Sequence, residues 1–376
     1  MFSVLQIWLY RFPIILSALW INAGYCCTHP RADVQARCEE VLKAFPGVFT
    51  NVVFHDNPVR SLRGNLKSRN TLHIVASDFA LYDPITVSGR AVNVGIVGIA
   101  TDGKYPTVSL AGTIFSNGVD EFIRASDTQL LYLDGFELDA GGSFANFYGN
   151  LNHFIHAKSD EVTLKNLRLH KTGESIESPI YVEHSKKLEV SQIEIWNDGN
   201  KEHPVVATRE VFKVQFSDST VHGFPSECTL ILHENSRIVS YSNFTYPVKH
   251  SQSWQSGVTP GIFIVYEDYG MFAAKLSFEN IKTEPSASHD PAFDEIQIPL
   301  WVKRRYGEVH AIITYKNNAS DRQMTGIFHS NVPWCINDKI SYFPKKTDKE
   351  DKLSEYFVPE CLQRRYPTAH IEGNTE

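Results

Sequence analysis

Through the middle of the chain, apolar and polar positions alternate with the two-residue period of a strand, and the alternation comes in copies. One copy is Val162-Thr163-Leu164-Lys165-Asn166-Leu167-Arg168-Leu169, the next Leu188-Glu189-Val190-Ser191-Gln192-Ile193-Glu194-Ile195, and a third Val214-Gln215-Phe216-Ser217-Asp218-Ser219-Thr220-Val221. Each predicts a strand, a polar corner and a second strand. The corner residues Asn166, Gln192 and Asp218 are 26 residues apart, Asn243 follows after 25, and Gly135 begins the series upstream. A repeat of that size, strand-patterned within and without helical periodicity between copies, predicts a solenoid in which each repeat makes one coil. Coils then stack ~4.8 Å apart with like residues over like, so columns become the units that carry meaning.

With its corner column Gly135, Asn166, Gln192, Asp218, Asn243 and Asn280, the chain resembles the right-handed parallel β-helix proteins of the pectin-lyase-like superfamily, whose coils carry a ladder of Asn or similar polar residues at an inner corner. The resemblance spans roughly residues 70 to 320. It implies an all-β, single-stranded right-handed parallel β-helix. About activity it says little, because the superfamily holds lyases, hydrolases, esterases, phage tailspikes and non-catalytic adhesins.

Four segments follow from this pattern. Residues 1–26 read as a secretory signal, with Arg11 before the apolar run Phe12 to Ile21 and small residues Ala23 and Gly24 after it; cleavage is expected after Ala23 or Cys26. Residues 27–50 form an N-terminal cap, in which Val34, Cys38, Val41, Leu42 and Phe45 share one helical face, expected to lie across the open end of the coils. Residues 51–330 make the β-helix. Its early rungs are Thr71–Val75, Ile85–Val87, Val92–Ile99 and Val108–Gly112. After Asn243 the interval grows to 37 residues, to Asn280 and again to Asn317, which predicts loops around Ser251–Gly257 and Glu284–Pro291 walling a groove. Residues 331–376 are an irregular C-terminal tail, with a charged, solvated run at Lys345–Lys352.

A chain of 376 residues would ordinarily suggest two domains, but a solenoid grows by adding rungs, so one elongated, monomeric domain is expected. Removing Arg11 with the signal moves the formal charge from −7 to −8 and argues against nucleic acid as a partner. Secretion, extracellular or periplasmic, leaves no membrane partner after cleavage. Six cysteines in a secreted chain predict disulfides: Cys335 with Cys361, and Cys38 with Cys26 or Cys27, while Cys228 is a buried small hydrophobe. Neither the Cys nor the His spacings match a zinc ligand set.

Chemistry is expected on outward columns. With Leu167 and Leu169 inside, Arg168 and His170 face out, and stacking produces one column Glu137, Arg168, Glu194, Thr220 and another Asp139, His170, Trp196, His222. In the second, Asp139 would orient His170 as a general base, with Trp196 as a platform for sugar stacking. Resemblance to the lyases of the superfamily implies a Lys, Arg or His base removing the proton beside a uronate carboxyl, commonly with Ca²⁺ neutralising that carboxylate. Lys165, Arg168 and His170 are then the basic candidates, and Glu137, Asp139, Glu194 and Asp198 the cation ligands. A glycoside hydrolase is an alternative, but the paired-Asp, Gly-His-Gly and Arg-Ile-Lys motifs of the polygalacturonases are missing, and so are the pectin-esterase signatures. A non-catalytic β-helix binding a glycan or host surface through Trp196, His222, Trp254, Tyr266 and Tyr269 is the other alternative. Asn243-Phe244-Thr245 and Asn318-Ala319-Ser320 are sequons, although an inward corner at Asn243 would exclude a glycan there.

Overall fold

The computed structural model describes residues 27–55, 62, 64–66, 69–81, 83–89, 92–110, 121–140, 151–172, 177–197, 203–223, 229–247, 261–266, 271–284, 300–304, 308–316, 328–330 and 334–336. Over these residues the chain is all-β apart from one helix, and its ladders pair parallel, consistent with a β-solenoid. Three ladders run along the stack. In the first, one column passes through Asn51, Thr71, Val94, Leu131, Val162, Leu188, Val214, Val239, Leu276, Ile313 and Ile336. The second carries Val108, Leu138, Leu169, Ile195 and Val221. The third carries Ile85, Ile123, Ile155, Ile180, Val206, Ile231, Ile262, Leu300 and Phe328.

These columns explain why the sequence folds this way. Val, Ile and Leu on successive coils meet at one height, and from Val94 to Leu276 in the first column and Ile85 to Ile262 in the third they are buried. No coil covers its own apolar edge, so each is stable only between neighbours. The rung pattern runs on through Trp334–Ile336, beyond the expected start of the tail at residue 331, because these residues continue the first ladder against Ala311, Ile312 and Ile313.

Between the first and second ladders the backbone turns through left-handed φ at Gly135 (79°), Asn166 (50°), Gln192 (55°), Asp218 (49°), Asn243 (50°) and Asn280 (53°). That is the column expected from the spacing. Left-handed φ selects Gly, Asn and Asp, whose side chains tolerate it. The ladder is on the outside of the corner, however. Gln192, Asp218 and Asn243 are exposed; Asn243 Nδ2 donates to Asp218 Oδ1 at 2.8 Å, and Asn280 Nδ2 donates to Asn243 Oδ1 at 3.0 Å. An exposed Asn243 removes the expected conflict between the corner and the sequon.

Two further bends were not expected. One has left-handed φ at Gly89, Asp127, His184, Glu210 and Asn235. The other opens the third ladder, where apolar doublets Phe122-Ile123, Phe154-Ile155, Val205-Val206 and Leu230-Ile231 are buried in the same core. Two consecutive inward residues mark a corner, because along a straight strand they would face opposite ways.

The helix spans Ala32–Ala44 and buries Val34, Cys38 and Val41. They pack with Phe49, Leu72, Ile74, Val97, Ile99, Leu130 and Tyr132, residues that alternate with the inward column of the first ladder. Those contacts lie along the outer flank of the first rungs, a different location from the expected one across the open end. A disulfide joins Cys27 to Cys38 and ties the entry of the chain to the helix. Arg37 anchors the same helix, forming an ion pair with the fully buried Asp134, which also accepts hydrogen bonds from Tyr132 Oη and, at 2.7 Å, from Asn166 Nδ2. Among the described residues no helix is long and apolar enough to cross a membrane. The signal segment, Cys228, Cys361, Asn318, the loop Ser251–Gly257 and the charged tail lie outside the described residues.

Candidate functional site

The outer face of the second ladder holds the two expected columns. Register places Glu137 beside Arg168, Arg168 beside Glu194 and Glu194 beside Thr220. It likewise places Asp139 beside His170 and Trp196 beside His222. Alternation forces this arrangement: Leu167, Leu169 and Ile195 are held in the core, so Arg168, His170, Glu194 and Trp196 must face out.

The second column is a stack of rings. His170 and Trp196 have centroids 4.2 Å apart at 11°, and Trp196 and His222 5.1 Å apart at 20°. Carboxylates flank both imidazoles. His170 Nε2 lies 3.2 Å from Glu137 Oε1, and His222 Nε2 is hydrogen-bonded to Glu194 Oε1 at 3.0 Å. Arg168 Nε approaches Glu194 Oε2 at 3.7 Å, so one carboxylate serves both a guanidinium and an imidazole. All five polar side chains are between 29% and 47% exposed. At that exposure each pair adds little stability.

This geometry changes two of the expected roles. The carboxylate against the His170 ring is Glu137, from the same rung as Asp139 but two residues earlier; parallel register sets Cα neighbours, and the side chains then settle on the diagonal. Trp196 cannot serve as a stacking platform, because an imidazole covers each of its faces and only the indole edge is presented outward. Polar contacts from ring edges and carboxylates remain as the binding groups of this face.

Other expected site residues are dispersed. Lys165 lies on the first ladder, before the Asn166 corner, next to Asp134 and Ser191 in register and on a different face from Arg168. Tyr266 is fully buried, its hydroxyl donating to the Ser236 carbonyl at 3.0 Å, and cannot contact a ligand. It belongs to the third ladder, where it follows the buried Ile262 and Ile264 at two-residue steps and so faces the core. Trp254, Tyr269 and Asp198 lie outside the described residues, which leaves Glu137, Asp139 and Glu194 of the expected cation ligands on this face. Glu137 and Glu194 do not converge on one point: each lies against a different histidine.

Sequence reasoning did not reach two further groups. In the interior, His233 is fully buried between Thr208 Oγ1 at 2.7 Å and Tyr241 Oη at 2.6 Å, and burial lowers its pKa to about 3. On the third ladder, Glu121, His153 and His156 gather outside the core. The repeated apolar doublets were the available signal for that face, since a corner between Phe154 and Ile155 puts positions i and i+3 on the same side.

No protein-family model, curated protein or solved structure matches the chain.

Proposed function

We propose that this chain is a secreted right-handed parallel β-helix of the pectin-lyase-like kind that binds a glycan along the outer face of its second ladder. The left-handed polar corner column and the parallel register support the superfamily, and right-handed crossovers are the rule for parallel strands joined in one sheet. The observation that carries the binding reading is the row formed by Glu137, His170, Trp196, His222, Glu194 and Arg168. It is a flat, half-exposed strip of hydrogen-bonding groups with about one rung, ~4.8 Å, between neighbours, a spacing suited to successive hydroxyls of an extended sugar chain. Its one guanidinium, Arg168, is paired with Glu194, which favours a neutral or weakly charged glycan over a polyuronate.

A lyase is the second reading, favoured by one contact: Glu137 Oε1 lies 3.2 Å from His170 Nε2, without a hydrogen bond between them, which brings a carboxylate close to a candidate imidazole base. Against it, Arg168 is engaged with Glu194, so a uronate carboxylate would have to displace that pair or bring Ca²⁺ with it. The test uses the secreted protein on a panel of immobilised glycans, together with a uronate polysaccharide and Ca²⁺ followed by ultraviolet absorbance. Binding that falls at least tenfold in H170A and R168A without absorbance change supports the binding reading. New ultraviolet absorbance abolished by H170A establishes the lyase. No glycan retained by the wild type, with no absorbance, refutes both.

A further inference from the structure

The third ladder carries a histidine and carboxylate cluster far more buried than the strip on the second. Glu121 and His153 are register partners on adjacent coils and each is about 5% exposed; His156 is one short step along the same strand. Glu121 Oε1 lies 2.9 Å from His156 Nδ1, and among the described residues Glu121 Oε2 is enclosed without a hydrogen bond, with the half-exposed Arg124 guanidinium 3.8 Å away. Glu183 lies 3.6 Å from His156 Nε2. The Tyr181 ring stacks on His153 at 5.2 Å and walls one side.

His153 is oriented by its backbone partner. The Ser178 carbonyl can only accept, so the 2.7 Å contact assigns the proton to Nδ1 and aims Nε2 outward. There Nε2 meets Glu177 Oε2 at 3.1 Å. For a neutral imidazole this sets a nitrogen lone pair against a carboxylate oxygen, an arrangement that requires a positive centre. Three carboxylates, Glu121, Glu177 and Glu183, lie within 4 Å of the two imidazoles, with Arg124 beside Glu121 and His184 beside Glu183.

We propose that Glu121, His153 and His156 form a binding site for one divalent transition-metal ion of the zinc type, with the fourth position open toward Glu177. One donor atom from each residue lies within 4.8 Å of the other two. Donors at the usual 2.0–2.2 Å from a zinc ion are roughly 3.4 Å from one another, so closure asks for about 1 Å of side-chain movement and for Arg124 to swing into solvent. Two imidazole nitrogens and one carboxylate oxygen suit zinc, nickel or copper and disfavour calcium, which takes oxygen donors. The hydrogen bond from His153 Nδ1 to a carbonyl is the outer-shell contact that commonly orients a metal-bound histidine. Because Glu121 and His153 belong to successive coils, the ion would staple one rung to the next.

Equilibrium dialysis of the full chain, stripped with a chelator and then exposed to Zn²⁺ alone, tests the site, with bound metal counted by mass spectrometry. One zinc per chain at micromolar concentration is expected, with a higher melting temperature. E121Q and H156N should each weaken binding at least tenfold while keeping the far-ultraviolet circular dichroism of the parent; H222N, on the second ladder, should bind as the parent does. Cobalt in place of zinc should show a visible ligand-field band that H156N loses. No stoichiometric zinc overturns the proposal. So does binding that survives in folded H156N, or that H222N abolishes.

Discussion

Burying a neutral histidine makes the fold acid-sensitive, and His233 sets the size of the effect. Its pKa of about 3 lies well below the ~6.5 of an unfolded chain, the cause being complete burial between Thr208 and Tyr241. A group whose folded pKa is depressed binds its proton preferentially in the unfolded state. Stability is therefore complete above about pH 6.5 and is lost progressively as pH falls toward 3. At pH 4.5 the unfolded chain is favoured by two units of that difference, or about 3 kcal/mol. The perturbation is H233Q, which keeps a donor and an acceptor for the two neighbours and cannot titrate. The assay is urea unfolding of parent and variant at pH 7.5 and 4.5. Comparing each protein with itself cancels the packing loss of the substitution. The parent should lose about 3 kcal/mol more than the variant on acidification, with the contribution of His73, lowered to about 4 by burial and by His55, present in both. An equal loss in parent and variant would refute a buried, neutral His233.

Two more substitutions probe the packing. R37M leaves the Asp134 carboxylate fully buried without its cation and should cost ~3 kcal/mol in thermal or urea unfolding, with D134N in the same chain recovering most of it; a neutral R37M would mean that the ion pair does not hold the helix. A Cβ at Gly98 would collide with the Gly135 carbonyl oxygen, so G98A should abolish folded protein, whereas G103A, with open space around it and φ of +77°, should lower stability by only about 1 kcal/mol. Equal behaviour of the two glycine variants in a melting assay would contradict the close approach of these coils.

What the sequence disclosed, and what it hid, follows from the geometry of coils. The corner column was legible because left-handed backbone admits few residue types, and Asn166, Asp218 and Asn243 declare themselves. The parallel bend at Asp127, His184, Glu210 and Asn235 was not, since its residue types are too mixed to stand out from an exposed strand. Outward columns on the second ladder came correctly from alternation alone, because two long strands, Glu121–Asp139 and His153–His170, cross that face without an apolar doublet there. Partners within a column did not: register fixes Cα neighbours, while the diagonal from His170 to Glu137 depends on rotamers. Tyr266 was offered as a ligand contact for its aromatic ring, although alternation with Ile262 and Ile264 places it inside. The Glu121, His153 and His156 cluster went unseen because the corner between Phe154 and Ile155 consumes one step of the alternation.

In stacked coils, residues a repeat apart are vertical neighbours. Lys187 and Lys213 are register partners on the outer face of the first ladder, and cysteines there would have Cα atoms about one rung apart, within disulfide reach. Mild oxidation of K187C/K213C should join the two peptides that carry the substituted positions, seen by mass spectrometry in nearly every chain, while K187C/T220C, with the second site on another ladder, should yield no such pair. Absence of the first crosslink in folded protein, or formation of the second to a similar extent, would contradict the stacked coils.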